Sequence, residues 1–255
     1  MTTWILGPCT IDNRKMYLNT SDHLTDVMGD REWYYKASFD KANRTSLYGG
    51  RGIGIEEGIK LFEEVKDRHP NIKLTTDAHE VWQVEKLAPY IDLVQIPAFL
   101  CRQTDLIVEC AKHFDIINIK KGQWIGPNNL IKSIDKIKDT DPTTEAWICD
   151  RGSNFGYDKL IVDFTIIEEL KKYYDKVVID CTHSTQRSRH VYGTQGDRDL
   201  AEKYLLSSGV FGYDGVFAEV HPHPPSSTSD ADCQIHLSHI SHLVEKQEEI
   251  KSCVY

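Results

Sequence analysis

The chain has 255 residues, 40% of them hydrophobic and 27% charged, and a formal charge of −9. This excludes disordered and collagen-like classes and leaves material for a large core, in one large α/β unit or two modest domains. An acidic total speaks against nucleic-acid and membrane binding but not against small anionic substrates, because clustered Lys and Arg can reverse the potential of one cleft. No apolar run approaches the roughly 18 residues of a membrane span, and residues 1–9 lack both a basic flank and a long apolar stretch. A cytosolic protein is expected. The seven cysteines, odd in number and irregularly spaced, suit reduced thiols or metal ligands better than a disulfide framework.

Taken in chain order, β-type runs are predicted at residues 4–6, 33–35, 72–75, 93–96, 116–119, 146–149, 177–179 and 215–218. Helices are predicted between them at 54–68, 81–87, 103–112, 128–138 and 164–174, each long enough to return the chain to a parallel neighbour. In the first of these, Ile55, Ile59, Leu61, Phe62 and Val65 share one side, and Glu56, Glu63, Lys66 and Asp67 face water. No linker, repeat or low-complexity tract interrupts the pattern, so one domain over 1–255 is the simpler expectation. Eight strand-crossover units predict a (β/α)8 TIM barrel, with a doubly wound open sheet as the competitor.

At or just after the ends of the eight runs stand Cys9, Lys36, Asp77, Gln95, Lys120, Arg151, His183 and Glu219. A closed barrel gathers all of them around one mouth, where active sites of that fold lie; an open sheet would string them along a line. The stretch from Lys36 to Ser46 carries three cations among hydroxyl and amide donors, and Lys120-Lys121-Gly122-Gln123 and Arg151-Gly152-Ser153 repeat the basic pattern. One basic loop is as readily a solvated one, but three at one mouth favour a ligand with several negative charges. Arg102 is either a surface cation or a phosphate clamp.

Cys9, His183, Glu219 and Asp230 form a candidate metal set in which a thiolate, an imidazole and two carboxylates suit Zn, Fe, Mn or Co better than Ca. No short ligand spacing supports it; taken singly, Cys9 reads as a buried thiol and His183 as a hydrogen-bonded core or acid/base group. Gly52-Ile53-Gly54 follows a basic loop instead of a strand and makes no dinucleotide site. His236, His239 and His242 can line one helix face but lack completing ligands, and His221 and His223 read as an exposed turn with a supporting role beside Glu219 in reserve.

KASFDKANR (36–44), QIPAFLCRQTD (95–105), NIKKGQ (118–123), RGSNFGY (151–157) and Thr182-His183-Ser184 resemble the 3-deoxy-D-manno-octulosonate 8-phosphate synthases, a likeness running from Gly7 to about Leu237. These are (β/α)8 barrels that condense phosphoenolpyruvate with D-arabinose 5-phosphate, and the resemblance implies a homotetrameric transferase of Kdo and lipopolysaccharide biosynthesis. Cys in Gly7-Pro8-Cys9, where the metal-independent members carry Asn, together with Ser229-Asp230-Ala231, implies the metal-dependent class with Cys9, His183, Glu219 and Asp230 as ligands. It further implies a phosphoenolpyruvate pocket of Lys36, Ser38, Lys41, Gln95, Lys120 and Arg151. Sugar-phosphate contacts fall to Asn43, Arg44 and Thr45, with Arg102 supplied by a neighbouring subunit. Catalytic roles fall to Lys41, Asp77 and His183, the last two near the reacting carbons.

Two segments depart from the family pattern. Residues 47–52 read LYGGRG where an Ile-His-Ser-aromatic-Arg-Gly run is common, and 186–200 lacks the usual glycine-rich covering loop. The competing expectations are a heptulosonate 7-phosphate synthase using erythrose 4-phosphate, or another phosphoenolpyruvate-aldose condensing enzyme. A barrel that binds sugar phosphates without catalysis is the non-enzymatic alternative.

Overall fold

Every one of the expected β-type runs overlaps a barrel strand, the run at 72–75 starting one residue early, in the computed structural model, which describes residues 1–43, 47–188 and 194–255. The strands are β1 (Thr3–Gly7), β2 (Trp33–Lys36), β3 (Lys73–Asp77), β4 (Leu93–Ile96), β5 (Ile116–Lys120), β6 (Glu145–Asp150), β7 (Lys176–Asp180) and β8 (Gly215–His221). Each pairs in parallel with its successor, and β8 returns to β1 with Gly7 opposite Glu219. That last pairing closes the sheet and decides for the (β/α)8 barrel against the open sheet.

Helices α1 (Arg14–Met28), α2 (Ile55–Arg68), α3 (Val81–Leu87), α4 (Thr104–His113), α5 (Pro127–Thr140), α6 (Ile166–Leu170), α7 (Arg198–Phe211) and α8 (Ile240–Val254) alternate with the strands. In α2 the residues Ile55, Leu61, Phe62 and Val65 are buried and Glu56, Glu63 and Asp67 are exposed, as the spacing requires. No helix among the described residues is long and apolar enough to cross a membrane.

Three helices escaped the apolar pattern. In α1 the buried side includes Thr20 and Ser21, whose hydroxyls donate to Met16 O at 2.8 Å and Leu18 O at 2.7 Å. Satisfied inside the helix, they can be buried at little cost, and they blur the periodicity. The ends carried better signals: Asn13 accepts from Met16 N, Asp197 from Leu200 N, and Gly29 and Gly212 close the two helices with positive φ.

Two expectations need correction. The helix expected over 164–174 is only the five residues of α6, because Asp163 Oδ1 caps Thr165 N and bonds at Lys172 and Tyr173 tighten to the i−3 carbonyl. His236, His239 and His242 do not share a helix face: His236 ends a short strand, His239 ends a 3-10 turn, and only His242 lies in α8.

A small apolar cluster of Ile5, Tyr34, Leu93, Trp147, Cys149, Val178 and Phe217 draws one or two residues from each of six strands. Strand side chains alternate between faces, so the residues two positions on point the same way. Those are Gly7, Lys36, Gln95, Arg151 after Cys149, Asp180 and Glu219. The barrel interior therefore changes from apolar to ionic within one pleat. At Gly7 a Cβ would stand 1.9 Å from Lys36 O, so β1 meets β2 closely only without a side chain there. Gly7→Ala is expected to destabilise the fold by about 3 kcal/mol; a urea midpoint equal to that of the unaltered protein would rule out the close approach.

Candidate active site

The C-terminal ends of the strands enclose a cavity of about 290 Å³ lined by Lys36, Lys41, Asp77, Gln95, Lys120, Arg151, His183, Glu219 and Asp230, among others. Residues read as strand-end candidates thus converge. Phe217 forms part of the floor, its ring centroid 3.6 Å from Lys120 Nζ and 5.5 Å from Lys36 Nζ. An aromatic face attracts both ammonium groups and withholds water from them.

One side of the cavity is a hydrogen-bonded ladder. Asn118 Nδ2 donates to Gln95 Oε1 at 3.1 Å, and Gln95 Nε2 donates to Asp77 Oδ1 at 2.6 Å. The other Asp77 oxygen accepts from Ser38 and faces Lys36 Nζ at 3.4 Å, while Lys36 and Lys41 both donate to Ser38 Oγ, at 2.9 and 3.3 Å. Burial alone would raise the Asp77 carboxyl, but Lys36 and Lys41 outweigh it and hold it well below the ordinary carboxylate range.

The opposite side centres on Asp180. Its Oδ2 takes Lys120 Nζ at 2.5 Å and His183 Nδ1 at 2.8 Å, and its Oδ1 takes the His183 N–H at 2.9 Å. Against the upward pull of burial, His183 and Lys120 hold Asp180 well below the ordinary range. A carboxylate can only accept, so Asp180 orients the ring through Nδ1–H and turns Nε2 into the cavity. Nε2 stands 3.5 Å from Glu219 Oε1 and 3.9 Å from Asp230 Oδ2.

Cys9, Glu219 and Asp230 bring one ligand atom each to within 4.8 Å of one another, and His183 Nε2 borders the group. Cys9 Sγ donates to Asp230 Oδ2 at 3.1 Å. Burial pushes the Cys9 thiol up, and Glu219 adds to this. Asp230 is held down: burial opposes, but His183 and Lys41, with hydrogen bonds from Cys9 and Ser229, prevail. Glu219 is 0% exposed, yet neither carboxylate oxygen has a hydrogen-bond donor among the described residues; Lys36 Nζ stands 3.6 Å away. Buried carboxylates without donors are costly unless a cation completes them. The donor set therefore fits a divalent ion of the borderline type.

Sequence reasoning overlooked the groups that hold this set in place. Gln234 is buried, accepts Cys9 N at 3.2 Å and donates to Ser229 O at 2.8 Å, so it ties the two ligand-bearing segments together. Gln186 donates to Asp230 Oδ1 at 3.0 Å and accepts from Arg151 Nη2. Asp230 has φ 49°, the one left-handed non-glycine residue among those described, and its carbonyl accepts from Cys233 N and Gln234 N. Such a backbone persists only where its surroundings over-determine it. His79 lines the cavity with a buried Nδ1 that has no partner among the described residues; its position two residues beyond Asp77 was the available signal.

Other assignments fare differently. Asn43 lines the cavity, whereas Arg44 and Thr45 lie outside the described residues. Arg102 is exposed on the β4–α4 connection and does not line the cavity of its own chain. His221, expected in an exposed turn, is instead the buried last residue of β8, 3.5 Å from Asp12, because it continues the inward side of that strand; His223 is exposed.

The DAHP synthetase I family matches residues 2–254. The 2-dehydro-3-deoxyphosphooctonate aldolase of Fusobacterium nucleatum is 37% identical over 254 residues, covering 98% of this chain and 90% of that protein. Its namesake in Helicobacter pylori is 37% identical over 263 residues, covering 97% and 95%. That of Wolinella succinogenes is 40% identical over 239 residues, covering 89% and 90%.

Because Asp77 and Asp180 lie below their unfolded values, their ion pairs contribute fully above about pH 4 and fade as the pH falls toward the folded values. Asp180→Asn should cost roughly 3 kcal/mol at neutral pH by leaving Lys120 buried and unpaired, and should flatten the fall in stability from about pH 5 to pH 3. Urea midpoints across that range measure both effects, and an unaltered slope would contradict the pairing.

Proposed function

The chain belongs to the DAHP synthetase I family, and from that premise we propose that it condenses phosphoenolpyruvate with D-arabinose 5-phosphate and water to give 3-deoxy-D-manno-octulosonate 8-phosphate and phosphate. The observation that carries this reading is the meeting, in one cavity, of Lys36, Lys120 and Arg151 with the donor set of Cys9, His183, Glu219 and Asp230. Relatives covering nearly the whole chain bear the eight-carbon name, which favours arabinose 5-phosphate over the erythrose 4-phosphate of the heptulosonate alternative.

In this reading Lys36, Lys120 and Arg151 bind the phosphate and carboxylate of phosphoenolpyruvate, and their fixed charge stabilises the changing charge distribution as C3 attacks the aldehyde. Water then adds at C2 and phosphate leaves with cleavage of the C–O bond. Ser38 and Gln95 hold Asp77 in place beside the reacting carbons, and Lys41, which donates to Ser38 in the same cavity, would give a proton to the oxygen that the aldehyde becomes. His183 presents Nε2 to the same region, oriented by Asp180. When bound by Cys9, His183, Glu219 and Asp230, a divalent ion (Zn, Fe, Mn or Co) would supply polarisation of the aldehyde or a positioned water. Cys9 would enter that set as the thiolate, so uptake of the ion releases a proton. Asn43 and the segment after it would receive the sugar phosphate, and Arg102 could reach that phosphate only from another copy of the chain, as in a homotetramer.

Phosphate release from phosphoenolpyruvate is expected with arabinose 5-phosphate at a kcat/KM at least about tenfold above that with erythrose 4-phosphate, and to be abolished by chelator. The reverse preference would make the protein a heptulosonate synthase, and no release with any aldose would make it a binding protein. Cys9→Asn alone should lower bound metal, measured by elemental analysis, and rate together, each by on the order of 100-fold. Full activity of the unaltered protein in chelator would remove the metal from the proposal.

A further inference from the structure

Of the two consecutive lysines at the end of β5, only the first enters the site. Lys120 Nζ stands over Phe217 in the cavity, whereas Lys121, 0% exposed, does not line it. Its ammonium group donates to Gly152 O at 2.9 Å and Ser153 Oγ at 3.0 Å, and pairs with Asp150 Oδ1 at 3.3 Å. Asp150 is itself buried, and the same oxygen accepts from Gly152 N at 3.2 Å. All three partners flank Arg151, which leaves this tether with its guanidinium directed into the cavity toward Gln186.

A fully buried ion pair is an expensive way to gain stability, since apolar residues of like volume would serve as well. What it adds is geometry. Beyond the end of β6 the chain turns at Gly152 with φ +78°, where an added Cβ would lie 2.9 Å from Ile161 O. The β6 carboxylate and the two residues after Arg151 are all gathered by one charge from β5, so the exits of β5 and β6 cannot shift separately. Arg151 Nε is buried without a partner among the described residues and Nη2 donates to Gln186, so the guanidinium is fixed by its backbone and that one amide and keeps donor capacity for an incoming anion.

We propose that Lys121 is a positioning residue: paired with Asp150, it sets the direction of Arg151 and thereby the recognition of the phosphate of phosphoenolpyruvate. The role rests on the condensation proposed above but concerns an atom that touches no substrate. Interactions made equally with bound substrate and transition state appear in KM and leave kcat nearly untouched. Lys121→Met should therefore raise KM for phosphoenolpyruvate about tenfold, with kcat within about threefold and KM for the aldose within about twofold.

Lys121→Met strands a buried carboxylate and can fail to fold, so the double variant Lys121→Met with Asp150→Leu, which removes both charges, is made beside it. The double variant should fold and show the same rise in KM. Calorimetry with inorganic phosphate on the metal-loaded protein gives a second readout without turnover, and the variant should bind about tenfold more weakly. If both KM values rise together, or if KM for phosphoenolpyruvate and phosphate affinity both stay within twofold, Lys121 does not position Arg151. Absence of turnover in the unaltered protein would sink the condensation reading instead, and the phosphate titration would still decide the role of Lys121.

Discussion

A carboxylate can stay ionised in a dry interior only where positive charge closes around it, and the mouth of this barrel is organised by that requirement. Lys36 lies between Asp77 and Glu219, at 3.4 and 3.6 Å, and so joins the two sides of the cavity through one ammonium group. Lys120 and His183 converge on Asp180 in the same way. Closure of β8 on β1 brings these groups within reach of one another, because it places Glu219 beside Gly7 and therefore near Cys9. An acidic chain thus gathers Lys36, Lys41, Lys120 and Arg151 in one cavity beside its carboxylates.

The two halves of the site differ in how fully their polar groups are satisfied. On the ladder from Asn118 through Gln95 to Asp77 and Ser38, successive side chains hold one another. Among the described residues the Glu219 oxygens lack donors and the buried Nε of Arg151 lacks an acceptor. Satisfied groups make a rigid frame; unsatisfied ones leave the capacity on which the proposed cation at Glu219 and the proposed anion at Arg151 rest.

Between those two places runs a single side chain. Gln186 accepts from Arg151 and donates to Asp230, so the amide orientation that suits one end suits the other. Gln234 performs the corresponding service between Cys9 and the Ser229 carbonyl. Neutral amides are well suited to this, since they satisfy charged neighbours of both signs without adding charge of their own.

The amino-acid order by itself determined the strands and which residue types end them. A pleated strand alternates its faces at a period of two, so an apolar run closing in Lys36, Gln95, Lys120 or Glu219 announces a polar mouth before any contact is known. The motifs carrying the family resemblance sit on the same strand ends, and Cys9, His183, Glu219 and Asp230 stand out as a candidate donor set by residue type, which the resemblance makes specific. Alternation also turns Lys121 away from the face of Lys120, but only the folded chain decided that it is buried against Asp150, Gly152 and Ser153 at the turn beyond β6. Nor could the order of residues place Gln186 or Gln234 at the site, or show α1 by apolar spacing when its buried hydroxyls are satisfied by its own carbonyls. Local patterns record what a segment's own backbone repeats. The hydrogen bond between Cys9 and Asp230 spans 221 positions, and nothing but closure of the barrel brings them together.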